Sequence, residues 1–288
     1  RDLLDRDQVI VMPGAPDPLT AKIAESTGFE AIQMPGSPLA AVTLGAPDLG
    51  LTTLTEVVTQ ARNIANSVNI PIIADAESGF GDVLNVMRAI KEFEKAGVAG
   101  IHIEDLEKPQ CGLYRDKNLI PVEEMAEKIR AARDVLEDPD FTIVARTDAL
   151  GAVNGGVKEA VRRANTYAKA GADIIWFMEL PIGEGTVDVV SKLPGLIKAP
   201  VLGVGGQETH TLTDFEEWGY KIVMYGTNST QAMMGAIVNL MKDLKEKARD
   251  AAFCRELPNR GVTLEYLYDF VKFDEYQNLR TKYSPDKR

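Results

Sequence analysis

The 288-residue sequence predicts a single α/β domain folded as a (β/α)8 barrel. Short apolar runs and longer amphipathic stretches alternate throughout, and the apolar runs are nearly continuous rather than alternating in polarity. Eight such strand-helix units fall within about 240 residues, which is the count of a closed parallel barrel.

The runs are VIVMPG (9 to 14), AIQMPG (31 to 36), PIIAD (71 to 75), AGIHIED (99 to 105), FTIVARTD (141 to 148), DIIWFMEL (173 to 180), PVLGVGG (200 to 206) and KIVMYGT (221 to 227). Each is rich in Val and Ile and too short for a helix, as expected of parallel strands covered on both faces. Between them, stretches 17 to 29, 83 to 97, 121 to 136 and 157 to 171 repeat apolar residues at three and four positions, and two of these close on Ala-Gly, a helix stop. An open doubly wound sheet is the alternative that the same alternation allows. No low-complexity linker interrupts the pattern, so 1 to 288 reads as one domain. Stretches 231 to 248 and 264 to 273 read as extra C-terminal helices, covering a barrel end or a neighbouring subunit.

Hydrophobic residues make up 45% of the chain, enough for a substantial core. Asp and Glu outnumber Lys and Arg by 43 to 32 and no basic stripe is present, which argues against a nucleic-acid partner. No apolar run approaches the roughly 18 residues of a membrane span, so no membrane partner is expected. The two cysteines, Cys111 and Cys254, make neither a disulfide framework nor a CxxC motif. With a charged N-terminus lacking a signal-type apolar core, the expectation is a cytoplasmic protein.

In a parallel barrel the site is built at the C-terminal ends of the strands. There the sequence places Gly36 and Ser37 and then Asp48 after the second run, Asp75 and Glu77 after the third, Glu104 and Asp105 after the fourth, Arg146 and Asp148 after the fifth, and Glu179 after the sixth. Acids converging on one mouth repel one another unless a cation sits among them. Mg²⁺ suits such a set, because it takes oxygen ligands, binds one or two carboxylates directly and keeps several waters. For each acid alone, capping of the following helix is the competing explanation. Asp75 and Glu77, two apart on an extended chain and followed by Gly79 and Gly81, favour the metal. Arg146 suits bidentate binding of a substrate carboxylate or phosphonate; the alternative is a structural partner for Asp148 or Glu179. Stretch 107 to 116, EKPQCGLYRD, reads as a loop over the site, with Cys111 at its centre. His102 reads as a hydrogen-bonded core residue, His210 as a loop residue, and Trp176, Tyr266 and Tyr268 as packing on apolar faces.

The ordered motifs PGAPDPLTAKI (13 to 23), LGAPDLGLTT (44 to 53), DAESGFG (75 to 81), IHIEDLEKPQCG (101 to 112), ARTDA (145 to 149) and GYKIVMYG (219 to 226) resemble the isocitrate lyase/phosphoenolpyruvate mutase superfamily over nearly the whole chain. The resemblance implies a (β/α)8 barrel, a homotetramer exchanging C-terminal helices, and Mg²⁺ or Mn²⁺ as cofactor. It makes Asp75 the direct metal ligand, with Glu77, Glu104 and Asp48 supporting it directly or through water. Asp48 and Cys111 become the catalytic candidates. Gly36, Ser37, Gly112, Arg146 and Glu179 become the substrate-binding candidates, with Gly36 and Ser37 supplying oxyanion amides. Several positions depart from the superfamily pattern: Glu77 stands for an Asp, Gln33 for a Tyr, Pro35 for a Ser and Gln231 for an Arg. The cysteine loop reads KPQCGLY in place of a KKCGH-like stretch, and GVGGQE (203 to 208) replaces an Asn-containing one.

The expected activity is a Mg²⁺-dependent carbon-carbon lyase. It would cleave a 2-hydroxy (di)carboxylate of the methylisocitrate or dimethylmalate kind to a 2-oxo acid and a carboxylate, through an enolate. Phosphonopyruvate or carboxyphosphonoenolpyruvate mutase or hydrolase chemistry, or oxaloacetate hydrolysis or decarboxylation, is the second expectation. A non-catalytic, metal-dependent 2-oxo acid binding protein is the third.

Overall fold

The computed structural model describes residues 1–109, 117–178, 186–206, 209–248, 255–261 and 263–284. Eight strands form one sheet: β1 (Ile10–Pro13), β2 (Ile32–Met34), β3 (Ile72–Asp75), β4 (Gly100–Glu104), β5 (Thr142–Thr147), β6 (Ile174–Phe177), β7 (Val201–Val204) and β8 (Ile222–Tyr225). Each lies within one of the eight apolar runs. All the strand pairs are parallel, in the order β1-β8-β7-β6-β5-β4-β3-β2. First and last strands are neighbours, which rules out the open doubly wound sheet. A single parallel bridge, Gly14 to Gln33, closes the ring between β1 and β2, and the Ala15 amide donates to the Gln33 carbonyl at 2.8 Å.

That seam depends on glycine. A Cβ built on Gly14 would lie 1.9 Å from the Gly226 carbonyl oxygen, inside any permitted contact. The backbones past β1 and β8 therefore approach where no side chain fits.

The helices around the barrel begin and end on local chemistry. Helix α1 (Pro18–Ser26) starts with Asp17, whose carboxylate accepts from the Thr20 amide, and with proline in its first turn. Helices α2 (Gly36–Leu44) and α3 (Leu54–Ala65) both lie between β2 and β3, and α3 opens with a Thr53/Glu56 capping box. Helix α4 (Val83–Ala96) opens with an Asp82/Asn85 box and buries Val86, Ala89, Ile90 and Phe93 on one face. It stops at left-handed Gly97, and α6 (Val157–Ala170) stops likewise at Gly171, as the Ala-Gly pairs predict. Helix α5 (Val122–Val135) packs between them and buries Met125, Ile129 and Lys128.

Two apolar clusters result. One lies between strands and helices and includes Ile72, Phe93, Ile129 and Phe177; the other includes Met12, Val144, Trp176, Leu202 and Met224 from alternate strand positions that line the barrel interior. Full burial of each large apolar side chain contributes about 1.5–3 kcal/mol.

The chain divides into two compact units, Arg1–Gln231 and Ala232–Arg288. The helix Asn228–Lys247 begins in the first, and helices Leu264–Phe270 and Phe273–Lys282 belong to the second. Tyr266 stacks on Phe270 and Tyr268 on Phe273, so both pack against aromatic neighbours, each keeping an exposed ring face. Among the described residues no helix is long and apolar enough to cross a membrane.

Candidate active site

Asp75, the last residue of β3, is buried at the barrel mouth. Its Oδ2 accepts from the Gly36 amide at 2.9 Å, the first residue of α2, and its Oδ1 accepts from the Glu77 amide at 2.8 Å. Asp48 follows α2 and flanks the same glycine. A Cβ on Gly36 would come 2.4 Å from Asp75 Oδ2 and 3.6 Å from Asp48 Oδ2, so glycine is what lets the two acids share this corner.

Residues 76 to 81 turn sharply. Glu77 has φ 52 and Phe80 φ 60, both in the left-handed region, and Gly79 and Gly81 are also at positive φ. A side chain in that region costs about 1–2 kcal/mol, and the strain is held by specific partners. The Glu77 carbonyl accepts from the Glu104 amide at 2.9 Å, its Oε1 accepts from Thr52 Oγ1 at 3.1 Å, and Lys128 Nζ donates to the Ser78 carbonyl at 3.0 Å.

Glu104 ends β4 beside Arg146 of β5, in direct register. Arg146 Nη1 lies 2.9 Å from Glu104 Oε2, while Nε and Nη2 donate to the two Asp148 oxygens at 2.8 and 3.0 Å. The guanidinium also sits 5.0 Å from the Trp176 ring centre. Lys117, wholly buried, donates to Asp148 Oδ1 at 2.5 Å. The Asp148 alternative for Arg146 is thus realised on the Nε/Nη2 edge, and Nη1 is engaged by Glu104.

Electrostatics at this mouth are unusual. Burial, then the charge of Asp75, raises Asp48 to about 6; burial, then Asp75 and Asp48, raises Glu77 to about 8. Burial also raises Asp75 above and Glu104 well above the ordinary carboxylate range. Burial alone would lower Arg146, but Asp148 and Glu104 hold it well above its usual value. Asp148 is itself lowered, because Arg146 and Lys117 outweigh its burial.

The acids do not all converge. Asp105 is turned away and ties the barrel wall together, accepting from Thr147 Oγ1, the Asp148 amide, Tyr167 Oη and Arg163 Nη1. The structure brings together Asp48, Asp75, Glu77, Glu104 and Arg146, with Gly36 among them; Ser37 is the next residue of α2. The Gly36 amide is taken by Asp75. Cys111, Gly112 and Glu179 lie outside the described residues. Lys117 and Thr52 were not legible beforehand: Lys117 sits in the polar stretch RDKNL, and Thr52 is masked by the capping signal of its neighbour Thr53.

A hard divalent cation fits these residues. The donors are all oxygens, and one buried carboxylate oxygen, Glu104 Oε1, has no hydrogen-bond partner among the described residues. Among the described residues the mouth is not arranged as a ready-made cage of three or more His, Cys, Asp and Glu. It suits an ion that keeps several waters and takes few carboxylates directly.

Directly beside Asp75 lie two further buried polar groups, Gln33 and His102. Gln33 Nε2 lies 2.9 Å from His102 Nε2, and His102 Nδ1 lies 3.6 Å from Asp75 Oδ1. Burial and the charge of Arg146 hold His102 well below its ordinary value, so it is neutral. His102 thus bears out the hydrogen-bonded core reading.

The phosphoenolpyruvate phosphomutase family model matches residues 1–245. The chain is 39% identical over 281 residues to 2,3-dimethylmalate lyase of Eubacterium barkeri, covering 97% of this chain and 92% of the relative. A crystal structure of phosphoenolpyruvate phosphomutase from Streptomyces platensis subsp. rosaceus superposes with a TM-score of 0.90 at 29% identity, covering 98% of this chain and 97% of that one. Phosphonopyruvate hydrolase in complex with oxalate and Mg²⁺ superposes with a TM-score of 0.85 at 29% identity, covering 98% and 96%. With the closed parallel barrel and the strand-end acids, these similarities place the chain in the phosphoenolpyruvate phosphomutase family, within the superfamily that also holds the 2,3-dimethylmalate lyases.

Proposed function

We propose that this protein is a divalent-cation-dependent carbon-carbon lyase that cleaves a 2-hydroxy dicarboxylate to a 2-oxo acid and a second carboxylate. The observation that carries the reading is the geometry that brings the buried carboxylates of Asp48, Asp75, Glu77 and Glu104 to one strand-end mouth, where burial first and the neighbouring acids second raise their proton affinities. The similarity to a dimethylmalate lyase supports the choice of reaction.

Asp75, Glu77 and Glu104 would hold the ion, with Asp48 beside them. When bound, Mg²⁺ supplies a Lewis acid for the oxo-acid oxygens. The Arg146 N–H groups beyond those engaged by Asp148 and Glu104 would suit the carboxylate next to the hydroxyl carbon. Asp48, raised to about 6, is largely ionised at neutral pH yet basic enough to accept the hydroxyl proton. As that proton leaves, the oxygen electron pair it had shared forms the carbonyl π bond, the C–C bond breaks, and its electron pair passes to the enolate of the departing carboxylate. Cys111 is the candidate to return a proton to that carbon. The tetrameric state implied by the sequence resemblance is part of this proposal, and light scattering tests it.

The similarity to a phosphomutase and to a phosphonopyruvate hydrolase favours P–C chemistry as the second reading. A Mg²⁺-supplemented screen of C4 to C7 2-hydroxy acids, phosphonopyruvate and oxaloacetate, detecting pyruvate and glyoxylate, separates the two. Turnover of a hydroxy acid that is lost in Cys111→Ser supports the lyase; turnover confined to phosphonopyruvate, undiminished in Cys111→Ser, replaces it.

A further inference from the structure

Lys117 is a buried cation that the proposed cleavage leaves without a task. Its side chain and that of Asp148 have no exposed surface, so neither offers an atom for a ligand to touch, yet Nζ lies 2.5 Å from Asp148 Oδ1. Burying an ion pair is costly, and one that served stability alone could be matched by apolar residues of the same volume. Its surroundings give the pair another use.

Asp148 is held at both backbone and side chain. Its amide donates to Asp105 Oδ1 at 3.1 Å, and Asp105 is fixed in turn by Thr147 Oγ1, Tyr167 Oη and Arg163 Nη1. With the backbone set, what remains is the rotation of the carboxylate. Arg146 is a poor anchor for it, because the long arginine side chain takes its own orientation from the same group: Nε donates to Oδ2 at 2.8 Å and Nη2 to Oδ1 at 3.0 Å. Lys117 is placed independently of Arg146. Its carbonyl accepts from the Val153 amide at 3.2 Å, and the chain around it is tied by the Leu106–Leu119 bridge and by the Glu107 amide donating to the Asn118 carbonyl at 3.0 Å.

Oxygen Oδ1 of Asp148 is therefore shared between a fixed cation and a functional one. An acid paired with Arg146 alone would draw the guanidinium onto itself; with Lys117 on the same oxygen, less of that pull falls on the arginine. Elsewhere the guanidinium lies 5.0 Å from the Trp176 ring centre, and its Nη1 meets Glu104 Oε2 at 2.9 Å. Asp148 thus sets the guanidinium plane, and the plane decides where the remaining N–H groups face.

We propose that Lys117 is a positioning residue for carboxylate binding: acting through Asp148, it holds the Arg146 guanidinium in the plane in which its uncommitted N–H groups meet the substrate. The inference rests on the reading of Arg146 as the carboxylate site in the proposed function, and it applies to the lyase and to the P–C chemistry alike. Lys117 itself makes no contact with substrate and moves no proton.

The test is calorimetric binding of oxalate to the Mg²⁺-loaded full chain. Mn²⁺ affinity without oxalate is the separate reporter of the acid set, and both are measured at a temperature where circular dichroism shows each variant folded. Lys117→Met should weaken oxalate by about tenfold, the loss of one well-aimed hydrogen bond to a charged group, while Mn²⁺ affinity stays within about threefold of the wild type. Lys117→Gln, which keeps a donor but not the charge, should show the same split with a smaller loss, and it decides the matter if Lys117→Met does not fold. In an Asp148→Asn background the route to Arg146 is already cut, so adding Lys117→Met should change oxalate affinity by less than about twofold. Oxalate affinity unchanged in both Lys117 variants, an equal loss of oxalate and Mn²⁺ binding, or the same oxalate loss in both backgrounds overturns the inference and leaves the proposed function standing. Absence of Mg²⁺-dependent oxalate binding in the wild type overturns both.

Discussion

Glu77 and Asp48 make the response to a divalent cation depend on pH, with a definite sign. Burial and neighbouring charges hold Glu77 at about 8 in the folded chain against an ordinary 4.5, and Asp48 at about 6 against 3.8. Between about 4.5 and 8 the folded state keeps a Glu77 proton that the unfolded chain has released. Stability of the metal-free protein therefore falls as pH rises through this window, and the loss is complete above it. At about 1.4 kcal/mol per unit of separation, Glu77 accounts for a fall on the order of 5 kcal/mol and Asp48 for on the order of 3 kcal/mol, the latter complete above about pH 6. A cation binds the ionised carboxylates and opposes this trend, so below pH 8 its apparent affinity should rise by about tenfold per pH unit while the Glu77 proton is being displaced. The assay is a melting series at pH 6, 7 and 8 in excess EDTA and in saturating Mg²⁺, paired with Mn²⁺ titrations. The cation-induced rise in Tm should widen with pH and then level off, and Glu77→Gln should flatten it. An equal cation effect at pH 6 and pH 8, or a pH dependence unchanged in Glu77→Gln, refutes the reasoning.

Other perturbations have separate signatures. Lys117→Met breaks a pair with no exposure on either side, but Asp148 keeps both Arg146 bonds, so the cost should fall at the low end of the range for buried pairs, about 3 kcal/mol. At about 2–4 °C per kcal/mol for a unit of this size, calorimetry should find a Tm lower by about 6–12 °C. Gly14→Ala forces a methyl against the Gly226 carbonyl at the barrel seam and should cost about 3 kcal/mol or more, read as a lower urea midpoint or loss of soluble protein. Lys128→Met leaves the Ser78 carbonyl without its Nζ partner, which should cost about 1–3 kcal/mol in urea and weaken Mn²⁺ binding by loosening the turn that carries Glu77; an unchanged Mn²⁺ affinity would show that the turn holds itself.

The barrel was legible because parallel strands buried on both faces leave uninterrupted apolar runs, and β4 and β5 lie wholly within AGIHIED and FTIVARTD. Asp75 and Glu77 were legible for the same reason, since acids directly after such a run stand out. What the sequence hides is partnership at a distance. Lys117 and Asp148 are 31 residues apart and look like two surface charges until the fold buries both. Asp105 and Glu104 are adjacent in sequence yet diverge, because consecutive strand residues point to opposite faces. Glu104 turns to the mouth and Asp105 to the surrounding helices, where Arg163 and Tyr167 of α6 meet it. Gln33 was visible only as a substitution; the side chain it meets, His102, lies 69 residues away.

The turn after β3 carries a signature that selection should expose. Glu77 and Phe80 hold left-handed backbone where glycine or asparagine would be easier, so the chain forgoes stability at both positions to place a carboxylate and a ring. In a mutational scan that scores folded yield and turnover separately, Glu77→Gly should rank near the top of the first scale and near the bottom of the second. Disagreement between two fitness measures at one residue would then mark this site without any ligand being known.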